Sequence, residues 1–207
     1  FIIKPNGDKI CDFKKNNLHV VGYSQPIRKK IDLEVLKKNI YYEKKIPNAI
    51  PYVTSYYKKR WGFCMTYNEY KKLQKGKYKI QIDSSFTPGE LVIGEKIIKG
   101  KSKKEILFST YLCHPSMANN ELSGPLVLNQ LVNKIKNKKN LKFSYRFVIT
   151  SETIGSIAYL KKRGEYLKKN LIAGYQITCV GDNGIFNYKK TKNEGSLSDF
   201  LAIKTLR

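Results

Sequence analysis

Ile106-Leu107-Phe108-Ser109-Thr110-Tyr111-Leu112-Cys113-His114-Pro115-Ser116-Met117-Ala118-Asn119-Asn120-Glu121-Leu122-Ser123-Gly124-Pro125 joins a strand pattern to a helix pattern through a polar loop. A β-rich apolar run ends at Leu112, a polar loop carries one of only two histidines, and an amphipathic helical pattern begins at Ser123-Gly124-Pro125. A strand that ends in such a loop, ahead of a helix N-terminus, is where open α/β sheets place ligands. The loop offers an imidazole at His114, amides at Asn119 and Asn120, and a carboxylate at Glu121. That combination points to a site.

Working outward, the segments after the polar break at 99–104 alternate between strand and helix. Strands are expected over 105–112, 143–150 and 171–180. Helices are expected over 124–137, with Leu126, Leu131, Val132 and Ile135 on the apolar side, and over 154–167, with Ile157, Tyr159 and Leu160 available for packing. Alternation of this kind implies an α/β fold with a mainly parallel sheet and flanking helices. The second strand end, Ile149-Thr150-Ser151-Glu152-Thr153-Ile154-Gly155, puts Glu152 at a helix start. Neighbouring parallel strands then deliver His114 and Glu152 to one carboxyl edge. Taken singly, Glu152 and Glu121 are helix-start acids complementing the dipole, and His114 a hydrogen-bonded structural residue; together they predict one shared cleft.

Residues 1–100 read differently, as a small β-rich module, with a boundary near residue 100 and the α/β core over 101–207. Asp32 is an N-cap candidate for a short helix beginning at Leu33. Tyr78-Lys79-Ile80-Gln81-Ile82-Asp83 and the alternating run over 90–98 flank a turn at Thr87-Pro88-Gly89, which predicts a hairpin. The aromatic cluster over 51–64 reads as packing, and His19 as a partly buried strand residue.

Composition narrows the partners. The chain has 207 residues, is 41% hydrophobic and 12% aromatic, and carries a formal net charge of +24. The basic residues are overwhelmingly Lys, with Arg only at positions 28, 60, 146, 163 and 207. Guanidinium is the preferred fork for phosphates and base edges, and the Lys are scattered, so nucleic acid is not the expected partner. No segment has the apolar length of a membrane span. Four widely spaced cysteines without a CxxC pair fit a reduced, cytoplasmic protein. The amino-terminal stretch does not have the layout of a signal peptide, and both ends are expected to be cut.

The strings over 113–124 and Glu152-Thr153-Ile154-Gly155-Ser156-Ile157-Ala158-Tyr159-Leu160 resemble a bacterial family of aminopeptidase-like proteins. Asn17-Leu18-His19-Val20-Val21, Tyr23-Ser24 and the 51–64 segment match its amino-terminal part, so the likeness spans essentially the whole chain. More distantly the chain resembles the zinc aminopeptidase superfamily, which includes the glutaminyl cyclases. The resemblance implies that residues 1–100 are most of a module inserted into a peptidase-like domain. Residues 101–207 would be the C-terminally truncated middle of that domain, with a winged helix following elsewhere.

Zinc aminopeptidases end their first strand in His-x-Asp and supply a bridging Asp from a Gly-Ala-x-Asp-Asn-x-Ser-Gly loop. A Glu-Glu pair, a later Asp and a distant His follow. The resemblance puts His114 at the first ligand, Ser116 at the supporting Asp and Asn120 at the bridging Asp, with Glu121 beside it. Glu152 matches the general base, Thr153 replaces the ligand Glu, Thr178 replaces the later Asp, and the distant His would lie beyond residue 207. Asn and Thr are poor substitutes for the anionic ligands that hold two dications together. The resemblance therefore implies a single zinc on His114, Glu121 and the distal His, with Glu152 as base and Asn119 or Asn120 orienting substrate.

The expected function is a metallopeptidase-like hydrolase of an amide bond, with a small peptide or an amino-acylated sugar as substrate. The isolated 207-residue segment is expected to be inactive because the distal ligand is absent. The contrasting expectation is a non-catalytic binding module on a degenerate peptidase fold, recognising an amino terminus or a glycan precursor. DNA binding rests only on charge and on the winged helix implied elsewhere.

Overall fold

The computed structural model describes residues 1–114 and 117–206. Two units, Phe1–Pro88 and Gly89–Arg207, separate within it. In the first, the elements are β1 (Ile2–Ile3), β2 (Lys9–Ile10), β3 (Ile27–Asp32), α1 (Leu33–Lys37), β4 (Ile40–Tyr41), β5 (Phe63–Cys64), α2 (Tyr67–Lys71) and β6 (Lys77–Ile82). An antiparallel sheet runs in the order β2-β1-β6-β3, and β4 pairs with β5 in parallel. The period of two in β6 explains its place: Tyr78, Ile80 and Ile82 are buried while Lys77 and Lys79 are exposed. Ile2, Leu36, Phe63 and Met65 complete that core.

Local signals in this unit are mixed. Thr66 and Glu69 form a reciprocal capping box at α2. Asp32 occupies the N-cap position of α1 but makes no capping hydrogen bond through its side chain. His19 closes a 3-10 turn, Asn17–His19, rather than lying in a strand, and its Nδ1 is 2.9 Å from the Cys64 carbonyl oxygen. Of the aromatic cluster, Phe63 is buried whereas Tyr56 and Tyr57 are exposed.

The second unit contains β7 (Gly94–Ile98), β8 (Glu105–Tyr111), α3 (Ser123–Lys136), β9 (Ser144–Thr150), α4 (Ile154–Asn170), β10 (Leu171–Gln176) and α5 (Leu197–Leu206). Its sheet has the order β10-β8-β9-β7; the first three strands are parallel and β7 is antiparallel at the edge. The expected α/β sheet with flanking helices is therefore present. The expected hairpin is not: β7 pairs with β9, and the division between units falls at Pro88 and Gly89 rather than near residue 100. The partner choice has a physical anchor, because Glu95 on β7 forms a 2.5 Å ion pair with Arg146 on β9.

Arg146 is the hub of a buried polar cluster. Its guanidinium also forks onto Glu105 at 2.6 and 3.0 Å, while Tyr159 donates to Glu95 at 2.5 Å and Tyr166 to Glu105 at 2.8 Å. A buried charge persists only when paired and fully hydrogen-bonded, as here. Leu126, Ile157 and Leu160, expected to pack, are exposed. The inner faces of α3 and α4 begin instead at Gly124 and Gly155, where an added Cβ would collide with Thr110 of β8 and Thr150 of β9 respectively. This repeated close approach lets each helix start directly over the end of its strand.

Candidate functional site

Register brings the site together. Tyr111 of β8 lies opposite Thr150 of β9, and the Leu112 N–H donates to the Thr150 carbonyl at 3.0 Å. The two chain segments therefore leave the sheet side by side, one carrying Cys113-His114 and the other Ser151-Glu152. A π-helical turn, Ala118–Leu122, leads into α3 and turns Glu121 inward until only 2% of its side chain is exposed. Such turns insert an extra residue into the helical path and re-aim side chains, and they are frequent at functional sites.

The Glu121 carboxylate accepts from His114 Nδ1 at 2.6 Å and from the Cys113 N–H. Burial opposes its ionisation, but the N–H groups of Cys113 and His114 and the imidazole outweigh burial and hold its pKa below the usual carboxylate range. An ionised carboxylate can only accept, so Nδ1 carries the proton and Nε2 is presented toward Glu152, whose Oε2 is 3.5 Å away. Glu121 was expected as a direct ligand; both its oxygens instead face groups of the protein, one of them the imidazole. Its geometry fixes the tautomer and orientation of the imidazole.

Glu152 has half its side chain exposed, as suits a group that meets solvent or substrate. The next residue, Thr153, has φ of 55° and ψ of −72°, and the Ile154 N–H bonds back to the Glu152 carbonyl at 2.6 Å. This is a γ-turn with positive φ at a β-branched residue, a strained conformation. Strain of this kind clusters at functional sites, and here it falls on the residue directly after Glu152.

Cys113 is the residue that sequence reasoning missed. Its Sγ lies 3.6 Å from His114 Nδ1 and accepts the Glu152 N–H at 3.3 Å. Among the described residues, the donor atoms of Cys113, His114 and Glu152 lie within 4.8 Å of one another, so a thiol, an imidazole and a carboxylate can reach one cation. Burial raises the Cys113 thiol pKa, the Glu152 N–H works against that rise, and the carboxylates of Glu121 and Glu152 add to it. The available signal was its place immediately before His114 at a strand end.

A cleft of about 400 Å³ opens here, with Leu112, Cys113, His114, Met117, Glu121 and Leu122 among its walls. Beside it is a neutral cluster: Thr178 donates to the Tyr111 hydroxyl at 2.7 Å and Asn120 Nδ2 donates to the same oxygen at 3.1 Å. Asn120 Oδ1 is buried without a hydrogen-bond partner among the described residues. Asn119, expected to contact substrate, has both ends of its amide engaged, donating to Asp182 at 2.5 Å and accepting the Gly181 N–H at 2.7 Å. Asn119 thus ties the π turn to the 180–182 loop. Ser116, placed by resemblance at the supporting Asp, lies outside the described residues.

The fold, with the likenesses that follow, defines an aminopeptidase-like protein. The chain belongs to the family described as Domain of unknown function (DUF4910), which matches residues 4–207. It is 44% identical over 206 residues to a Clostridium acetobutylicum protein described as a candidate polysaccharide biosynthesis protein with an aminopeptidase-like domain; the match covers 100% of this chain and 47% of that protein. It is also similar to the crystal structure of a candidate peptidase from Clostridium acetobutylicum, with a TM-score of 0.93 and 42% identity over 99% of this chain and 48% of that one. The chain spans about half the length of these relatives. Among its described residues no helix is long and apolar enough to cross a membrane.

Proposed function

We propose that the full-length protein is a metal-dependent hydrolase that cleaves an amide bond next to an amino group, as a divergent member of the zinc aminopeptidase and glutaminyl cyclase superfamily. The observation that carries this reading is the geometry of His114, with one ring nitrogen committed to buried Glu121 and the other turned toward half-exposed Glu152. The donor chemistry fits zinc, which accepts imidazole, carboxylate and thiolate. Zinc held through His114 Nε2, with the distal histidine that the resemblance puts beyond residue 207, would polarise a carbonyl and a water.

The other roles belong to the chain. Glu152 takes the proton of the attacking water and returns it to the leaving amine. Glu121 holds the imidazole in one tautomer and orientation. The apolar walls of the cleft, Leu112, Met117 and Leu122, accept a non-polar part of the substrate, which suits a small peptide. The polysaccharide-biosynthesis description of the Clostridium acetobutylicum relative favours an amino-acylated sugar as the alternative. Asn120, Tyr111 and Thr178 form an uncharged group where a second dication would need anions, which favours one metal per site.

That same neutral cluster supports a second reading, a binding module that has kept the fold and lost the reaction. Elemental analysis of the purified full-length protein separates the two. Close to one zinc per chain, lost in His114→Ala, supports the hydrolase; protein free of zinc after expression in zinc-supplemented medium supports the binding module.

A further inference from the structure

We infer that Cys113 is the anionic metal ligand of this site, a thiolate taking the place of the carboxylates absent at Asn120, Thr153 and Thr178. The inference rests on the reading that a cation sits at His114, and adds which group balances its charge. Glu121 has one oxygen on His114 Nδ1 and the other on the Cys113 N–H, so its charge is committed to orienting the imidazole. Of the acidic donors close to His114, this leaves Glu152 and Cys113. The Cys113, His114 and Glu152 donor atoms lie within 4.8 Å of one another. Two donors on one tetrahedral zinc stand roughly 3.3 to 3.7 Å apart, given zinc–nitrogen and zinc–sulfur lengths of about 2.0 and 2.3 Å.

A second observation points the same way. The Glu152 backbone N–H is directed at Cys113 Sγ at 3.3 Å. A peptide dipole aimed at sulfur stabilises a thiolate, and such hydrogen bonds tune metal-bound sulfur. It also fastens the Glu152 loop to the ligand, which keeps the base beside the cation without spending its carboxylate on coordination. A nucleophilic role for Cys113 fits less well. The ring nitrogen 3.6 Å from Sγ is Nδ1, the nitrogen already bound to Glu121, so the imidazole is not placed to take the thiol proton. On metal binding the Cys113 S–H bond breaks, its proton leaves to solvent, and the sulfur pair forms the bond to the cation.

Cobalt(II) titration of the metal-free full-length protein tests this, with absorption as readout. The expected result is a near-ultraviolet thiolate-to-cobalt charge-transfer band in the wild type and in Cys179→Ser, lost in Cys113→Ser. Because Cys113→Ser could fail to fold, alkylation of the wild type by iodoacetamide is followed in parallel by mass spectrometry; bound zinc should protect Cys113. One equivalent of cobalt bound with visible d–d bands but no charge-transfer band, a band that survives in Cys113→Ser, or Cys113 alkylated equally with and without zinc would overturn the ligand assignment while leaving the hydrolase reading intact. Absence of any cobalt binding would overturn both.

Discussion

His114 and Glu121, seven residues apart, are joined by a 2.6 Å hydrogen bond from Nδ1 to a carboxylate that is almost wholly buried. The bond selects the imidazole tautomer and turns Nε2 toward Glu152. Carboxylates in this relation to a ligating histidine contribute about 10- to 100-fold to metal affinity. Glu121→Gln should therefore weaken zinc binding by about tenfold or more, measured by competition with a chromophoric chelator. Unchanged affinity would remove Glu121 from the site's machinery.

The same carboxylate predicts a pH dependence. Glu121 is held below its ordinary pKa of 4.5. A group depressed in the folded state stabilises the fold above its unfolded pKa, and that contribution disappears as pH falls through the folded pKa. The stability difference between wild type and Glu121→Gln, followed by urea unfolding, should be constant above about pH 5.5 and shrink as pH falls below about 4.5. A difference that grew on acidification would contradict the assignment.

Thr153 is strained for the sake of its neighbour. Thr153→Gly removes the Cβ penalty of the positive φ and should leave stability unchanged or raise it by up to about 1 kcal/mol. Freed backbone should also let Glu152 leave its position, so turnover should fall while substrate KM changes little. Loss of stability in this variant would show that the γ-turn is not strained in solution.

Arg146 is the strongest stability prediction. Arg146→Met leaves Glu105 buried without its fork and should cost about 3–5 kcal/mol, read from urea unfolding of the full-length protein. Arg146→Met combined with Glu105→Leu should be less damaging than the single change, because the unpaired charge goes with its partner. Equal or additive costs would argue against the buried pair.

Much of the second unit was legible because it is written in local periods. The apolar runs over 105–112 and 143–150, each followed by a helical pattern, specify parallel strands and deliver His114 and Glu152 to one edge. Pairing across long separations was not legible. The alternation over 90–98 marks a strand but does not name its partner, and Glu95 finds Arg146 only once the sheet exists. A lone Arg inside an apolar strand gives no sign of two carboxylates and two phenols gathering around it. The helix faces misled for a related reason: Leu126, Ile157 and Leu160 have helical spacing, yet the close contacts of Gly124 and Gly155 decide which side turns inward. At the site, residue types pointed to His114, Glu121 and Glu152, whereas the inward turn of Glu121 depends on a π turn that no spacing rule announces.

In the proposed reaction Glu152 and a cation at His114 hydrolyse an amide bond. The most direct measurement is release of free amine from a panel of aminoacyl amides, dipeptides and aminoacylated amino sugars by full-length protein, chelated and then reloaded with zinc. Turnover should disappear on chelation, return with one equivalent of zinc, and fall at least about a hundredfold in Glu152→Gln, whose zinc content stays unchanged, from the usual worth of a general base. Zinc-loaded wild type that binds members of the panel without hydrolysing any, or hydrolysis that survives in Glu152→Gln, would contradict it.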